Sequence, residues 1–429
     1  MKTWRSDDVR CQRYLARLET RMGEVFPPAL MDKVRGVVEA VRKRGDKALA
    51  AYVRRHDLKG LSVSDFRLHG EVAGAETVDE AFASAVEMAI RNLRAFHEQQ
   101  RQTGYTLAGE NGDLGIRVRP IDAVGVYVPG GAAVYVSSLL MAVIPAQVAG
   151  VGRIAVATPP RAFLNSPYLR YVLDRLDLRE VYLMGGAHAV AALAYGTDSV
   201  TPVDKIVGPG GRWVAAAKRV VFGVVDVDGV AGPSEVVIVA DGHADAEIVA
   251  GDLLAQAEHD PDAVALLVTT SRGLAEKVER RVKGMLRPQP KSAAVRQALR
   301  RWGAIVTVRH EAEAIEIVNR LAPEHVELLV EEPLRLVEGV ERAGAVYLGP
   351  FSPAVLGDYV VGVNHVLPTA GAARFGSPLG VWDFVRRTAV VNVAPHRFRA
   401  LANAATTLAL AEDLPLHAAA LACGSRGRV

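Results

Sequence analysis

The chain alternates between two kinds of segment. Short runs rich in β-branched residues are separated by Gly/Ala-rich helical stretches, and they fall into two series. The first series comprises 124–128, 154–157, 181–184 and 205–207. After a break at Gly232-Pro233, the second comprises 235–240, 263–269, 304–308, 325–330 and 345–348. Repeated strand–helix–strand order selects βαβ units, because parallel strands can be joined only through a crossover. The expected fold is α/β, with two Rossmann-like lobes built on parallel sheets and a crevice between them. Before the first series, residues up to about 100 read as helical. Val34, Val37, Val38 and Val41 recur at helical spacing, as do Phe82, Val86, Ile90, Leu93 and Phe96. Past about residue 380 the chain is Ala-rich and also reads as helical.

Composition excludes several classes of function. Lys+Arg is 51 and Asp+Glu 48, a net charge of +3 that argues against a nucleic-acid partner. Half the residues are hydrophobic and 23% are charged, which suits a globular core and not a disordered acidic chain. Two cysteines, Cys11 and Cys423, can form neither a disulfide framework nor a cysteine-based metal site. They fit a reduced, cytoplasmic setting. The N-terminus is charged throughout and predicts no signal peptide. Residues 123–152 carry no charge. Pro129-Gly130-Gly131 and Pro145-Ala146-Gln147 interrupt the run, so a buried strand, turn and helix is expected in place of a membrane span.

Several chemical motifs are missing: a P-loop, a G-x-S-x-G elbow and a G-x-G-x-x-G fingerprint. Two glycine-rich turns follow strands, Val128-Pro129-Gly130-Gly131 and Val207-Gly208-Pro209-Gly210-Gly211. Taken alone, each reads first as a tight turn and only second as backbone placed near a phosphate. Gln256 and His259 stand three residues apart before Pro261 and share a helix face. They could form half of a metal site or a polar helix end. Glu324-His325 opens a predicted strand, where an imidazole with an ordinary pKa of ~6.5 could move protons. Alone, such a strand-edge pair is more often surface than catalytic. Asp358 supplies a hard oxygen that would complement His259 around zinc. His417, near the end of the chain, reads as a surface residue or a further ligand.

Taken together these segments resemble the histidinol dehydrogenase family. The resemblance runs from about Val37 to His417. It is carried by Phe96-His97-Glu98, Gly125-Val126-Tyr127-Val128-Pro129-Gly130-Gly131 and Ala231-Gly232-Pro233-Ser234-Glu235. It continues through 254–261, Ala322-Pro323-Glu324-His325-Val326-Glu327 and 356–369. The resemblance implies a zinc- and NAD-dependent oxidation of the small molecule L-histidinol to L-histidine through the aldehyde. It implies one Zn2+ per subunit, held by Gln256, His259, Asp358 and His417. Glu324 and His325 would be catalytic. Substrate would be held by Ser234, Gln256, His259, His325, Asp358, Glu412 and His417. A homodimer is implied, with Glu412 and His417 completing the partner subunit's site.

The cofactor side departs from the family pattern. Tyr127 is retained, but His188 stands where the family typically has Gln, and Gly211 where it has Asn. Tyr127, His188 and Gly211 are the candidate NAD contacts. A relative acting on another primary alcohol, such as a sulfonated diol, and a non-catalytic metal-bound binding protein are the alternatives. The expected division is an N-terminal helical arm (1–24), a first Rossmann-like domain (25–126 with 234–379), a second (127–233) and a C-terminal helical arm (380–429).

Overall fold

A computed structural model describes residues 1–21, 25–68, 78–130, 135–286 and 292–426. Gly131 of the first glycine turn and the expected arm boundary at residue 24 lie outside the described residues. Fourteen strands are described. In chain order they are β1 (Lys2–Arg5), β2 (Tyr105–Gly109), β3 (Gly112–Pro120), β4 (Ala123–Tyr127), β5 (Arg153–Thr158), β6 (Glu180–Leu183), β7 (Lys205–Val207), β8 (Asp226–Val227), β9 (Glu235–Ala240), β10 (Val264–Thr269), β11 (Ala304–Thr307), β12 (His325–Leu329), β13 (Ala345–Leu348) and β14 (Val385–Val393).

All nine runs in the two sequence series are strands, and they build two parallel sheets as expected. The first sheet has the order β6-β5-β4-β7-β8 and the second β1-β11-β10-β9-β12-β13. Their inner strands are buried on both faces, which explains the near-continuous apolar runs. In the five-stranded sheet, Val124, Val126, Val156 and Val181 pack towards the helices Glu80–Glu98 and Val136–Ala149. Tyr127, Ala155, Ala157, Tyr182 and Ile206 pack towards Pro28–Tyr52, Gly186–Tyr195 and Arg212–Val221. In the six-stranded sheet, Val236, Ile238 and Leu267 face the helix Ala246–His259, while Val237, Val239 and Val326 face Val9–Glu19 and Glu311–Leu321.

Four expectations are corrected. The arm 1–24 is not simply helical: β1 pairs in parallel with β11 and extends the six-stranded sheet. The expected boundary between residues 126 and 127 falls inside β4. The helices Pro28–Tyr52 and Glu80–Glu98, assigned to the first domain, pack on the five-stranded sheet, because their apolar stripes match its two faces. The segment 380–429 opens with a short 3-10 turn, Val381–Phe384, and then a strand before its helices. β14 pairs antiparallel with β3, which pairs with β2, giving a third, antiparallel sheet. The β-branched residues Val385, Thr388, Val390, Val391 and Val393 favour extension there over the helical reading. Among the described residues no helix is long and apolar enough to cross a membrane.

Candidate active site

The polar residues converge at the amino ends of β9 and β12, which are parallel neighbours with His325 in register with Val236. Ser234 and Glu324 immediately precede the two strands. The Ser234 hydroxyl donates to Glu324 Oε2, and the Glu235 N–H donates to the same oxygen at 2.9 Å. Two donors therefore fix one carboxylate oxygen of Glu324 in a buried setting. The helix Ala246–His259 leaves the carboxyl end of β9, runs back over the sheet and ends beside this cluster. Three residues apart, Gln256 and His259 are set on one side of it. Gln256 Nε2 donates to Ser234 Oγ at 2.8 Å, which leaves the amide carbonyl as its acceptor.

His325 is buried, and its two ring nitrogens have different surroundings. Nδ1 lies 3.1 Å from the Glu235 carbonyl, an acceptor only, so Nδ1 carries the proton. Nε2 is buried without a hydrogen-bond partner and stands 3.7 Å from Asp358 Oδ1. Burial alone would lower the imidazole pKa. Glu324 and Asp358 outweigh it and raise the value to about 9. Asp358, on the short helix Ala354–Tyr359, also lies 3.9 Å from His259 Nε2 through its other oxygen. Burial opposes its ionisation, but His325, His365 and His259 hold its carboxyl below the usual range. Beneath the site, burial pushes the Glu235 carboxyl up to about 7, with Arg21 opposing and Glu324 adding to the shift.

Sequence reasoning placed no role on three neighbours. His365 Nδ1 bonds the Asp358 carbonyl at 2.7 Å and its Nε2 lies 3.1 Å from Ser138 Oγ. It thus ties the site to the first helix after β4. Buried Glu327 and half-buried Asp252 form an acid pair behind His325, and each has a shielded oxygen with no conventional partner. Burial pushes both above the carboxylate range, and the charge of Asp252 adds to the rise at Glu327. Glu327 follows His325 by two residues and so shares its strand face, a period-2 signal available in the sequence.

Gln256, His259 and Asp358 offer one imidazole nitrogen and two hard oxygens, a donor chemistry suited to zinc. At metal–donor distances of ~2.0–2.2 Å one ion could touch both His259 and Asp358. Among the described residues of the single chain, no three His, Cys, Asp or Glu side chains are grouped to hold a metal ion. His417 and Glu412 are exposed on the C-terminal helical segment and make no described contact with the cluster. The donor set within one chain is therefore one ligand short of tetrahedral.

The cofactor candidates lie at the carboxyl ends of the five-stranded sheet, where its order reverses between β4 and β7. Open α/β sheets place ligands at such switch points. Tyr127 ends β4, and its hydroxyl accepts from the Gly186 N–H at 3.0 Å. Gly208 has φ +108°, and a side chain there would stand 2.2 Å from the Tyr127 carbonyl. Buried Lys218 and Asp228 clamp this turn, Lys218 donating to Asp228 at 2.6 Å and Asp228 accepting from the Gly208 N–H at 2.7 Å. Gly211 begins the helix Arg212–Val221 with open space around its Cα. His188 is buried at the start of the helix Gly186–Tyr195 and bonds Asp57.

Comparison with known proteins identifies the family. A family model described as histidinol dehydrogenase matches residues 22–424. A histidinol dehydrogenase from Bacillus cereus is 44% identical over 400 residues, 92% of this chain and 93% of that one. One from Caldanaerobacter subterraneus is 45% identical over 388 residues, 90% of each chain. The crystal structure of histidinol dehydrogenase from Elizabethkingia anophelis matches with a TM-score of 0.89 and 31% identity, covering 99% of this chain and 97% of that chain. An acetylating aldehyde dehydrogenase from Geobacillus thermoglucosidasius, 13% identical with a TM-score of 0.50, covers 90% of this chain and 97% of that one, and shares the fold alone.

Proposed function

The chain belongs to the histidinol dehydrogenase family of oxidoreductases, and on that premise we propose that it oxidises L-histidinol to L-histidine by two successive hydride transfers to NAD. The observation that carries this reading is the buried His325, tethered at Nδ1 and free at Nε2, beside Glu324 and Asp358. NAD would accept the hydrides. Zinc, held by Gln256, His259, Asp358 and the partner subunit's His417, would template the imidazole and amine end of the substrate.

The chain's own groups account for the protons. As the first hydride leaves the carbinol carbon, His325 Nε2 takes the hydroxyl proton and the aldehyde forms; the Asp358 charge that helps raise the imidazole pKa would be offset by bound zinc, which keeps the ring neutral for this step. Glu324, fixed by Ser234 and the Glu235 N–H, then takes a proton from water as its oxygen adds to the aldehyde carbon, while protonated His325 returns its proton to the carbonyl oxygen, giving the hydrate and a neutral imidazole. His325 accepts the hydroxyl proton of the resulting hydrate as the second hydride departs. Four electrons leave the substrate and two NADH form. The partner subunit's Glu412 would face the substrate ammonium, a charge-assisted contact. That carboxylate favours an amine over a sulfonated alcohol.

The test is stoichiometric. Purified protein with zinc, NAD and L-histidinol should form two NADH per histidinol consumed. A folded, zinc-loaded protein that reduces no NAD with histidinol would overturn the reading.

A further inference from the structure

The departure at His188 is matched by a residue far away in the sequence. Asp57 ends the turn Val53–Asp57 that follows the helix Pro28–Tyr52, and its side chain is 9% exposed. One oxygen, Oδ2, meets two donors, the Gly185 N–H at 3.0 Å and His188 Nε2 at 2.8 Å. Tyr52 stacks on the His188 ring at 5.7 Å and 18°, so the imidazole is held on its face as well as its edge. The opposite edge of the ring runs beside Gly186, where a Cβ would stand 3.5 Å from Nδ1. The arrangement needs both glycines. A Cβ at Gly185 would come 3.0 Å from Asp57 Oδ1 and 2.8 Å from Pro159, and Gly186 has φ +58°. Tyr127 bonds the next N–H of the same turn.

A glutamine amide both donates and accepts in any orientation. A neutral imidazole offers one of each, and a partner must decide which nitrogen donates. Asp57 makes that decision, because a carboxylate accepts only and so places the proton on Nε2. We propose that Asp57 is a positioning residue for the dinucleotide, acting through His188 as a carboxylate–imidazole pair at the carboxyl end of β6, where the family resemblance implies a glutamine. The pair fixes the Gly185-Gly186 turn against Tyr127, and with it one wall of the crevice. This inference rests on the NAD reading proposed above.

The test compares Asp57→Ala with the double variant Asp57→Ala/His188→Gln, using steady-state kinetics and fluorescence titration with NADH. Losing a buried charge-assisted contact should raise the NAD KM and the NADH Kd about tenfold. kcat at saturating NAD and the histidinol KM should stay within about twofold, a split that general misfolding would not produce. The double variant should recover most of the lost affinity, since an amide needs no carboxylate partner. Asp57→Asn, which keeps one acceptor, should fall between and serves if Asp57→Ala does not fold. An unchanged NADH Kd, equal losses in kcat and histidinol KM, or no rescue by glutamine would each overturn the proposal. If the wild type binds NADH but does not turn histidinol over, the catalytic reading fails while the titrations still judge the pair. If the wild type binds no NADH, both fall.

Discussion

A histidine serves as a base only when one nitrogen is held and the other is free to receive a proton. His325 meets that condition through the Glu235 carbonyl on one side and an unpartnered Nε2 on the other. His325→Asn should lower kcat by about 10²–10⁴-fold while zinc content stays at wild-type level, measured by turnover and metal analysis on one preparation. His259→Ala should lose zinc on dialysis, because one imidazole ligand carries much of the affinity of a mixed N/O site. Stoichiometric metal after dialysis would refute that ligand. At this scale the sequence was a partial guide. Glu324 and His325 could be paired as neighbours in the chain, and Gln256 with His259 by helical spacing. Asp57 could not be linked to His188, because 131 residues separate them and only the fold brings them to 2.8 Å.

Elements carry two further tests. Gly208→Ala forces a side chain into left-handed backbone and onto the Tyr127 carbonyl, so the variant should lose about 2 kcal/mol or more in denaturant unfolding. The acid pair joins the helix Ala246–His259 to β12. Both carboxyls are raised by burial, so the folded chain holds protons that the unfolded chain has already released. Their contribution to stability is complete below the ordinary carboxylate range near ~4. It is lost as the pH climbs through the Glu327 value of about 8. Glu327→Gln should therefore melt less steeply with pH, with Tm above wild type by about 1–3 °C at pH 8. An equal pH slope for both proteins would contradict the pairing. The nine parallel-sheet strands were readable because apolar runs mark strands covered on two faces. β2, β3 and β14 were not, since they are largely exposed and mix Arg, Asp and Gly with their β-branched residues.

At the scale of the molecule, the proposed site has two halves on two sheets. The proton-transfer residues lie at the amino ends of one sheet, and the cofactor candidates at the carboxyl ends of the other. The switch-point rule locates the second half only, which is why fold class alone could not mark the first. The proposed completion of the site by the partner subunit's His417 makes a sharp prediction. His325→Asn and His417→Ala homodimers should each be nearly inactive. After unfolding and refolding together, the mixture should regain about a quarter of wild-type turnover, since half the dimers would be mixed and each would carry one intact site. Absence of recovery, with mixed dimers verified, would place His417 in its own chain's site or in none. The tether on His325 has another consequence. It is a main-chain oxygen, so no substitution of the side chain at position 235 can delete it. The tautomer of the base is written into the register of two paired strands, where mutation of one residue has little purchase, and only slippage of β12 against β9 would erase it.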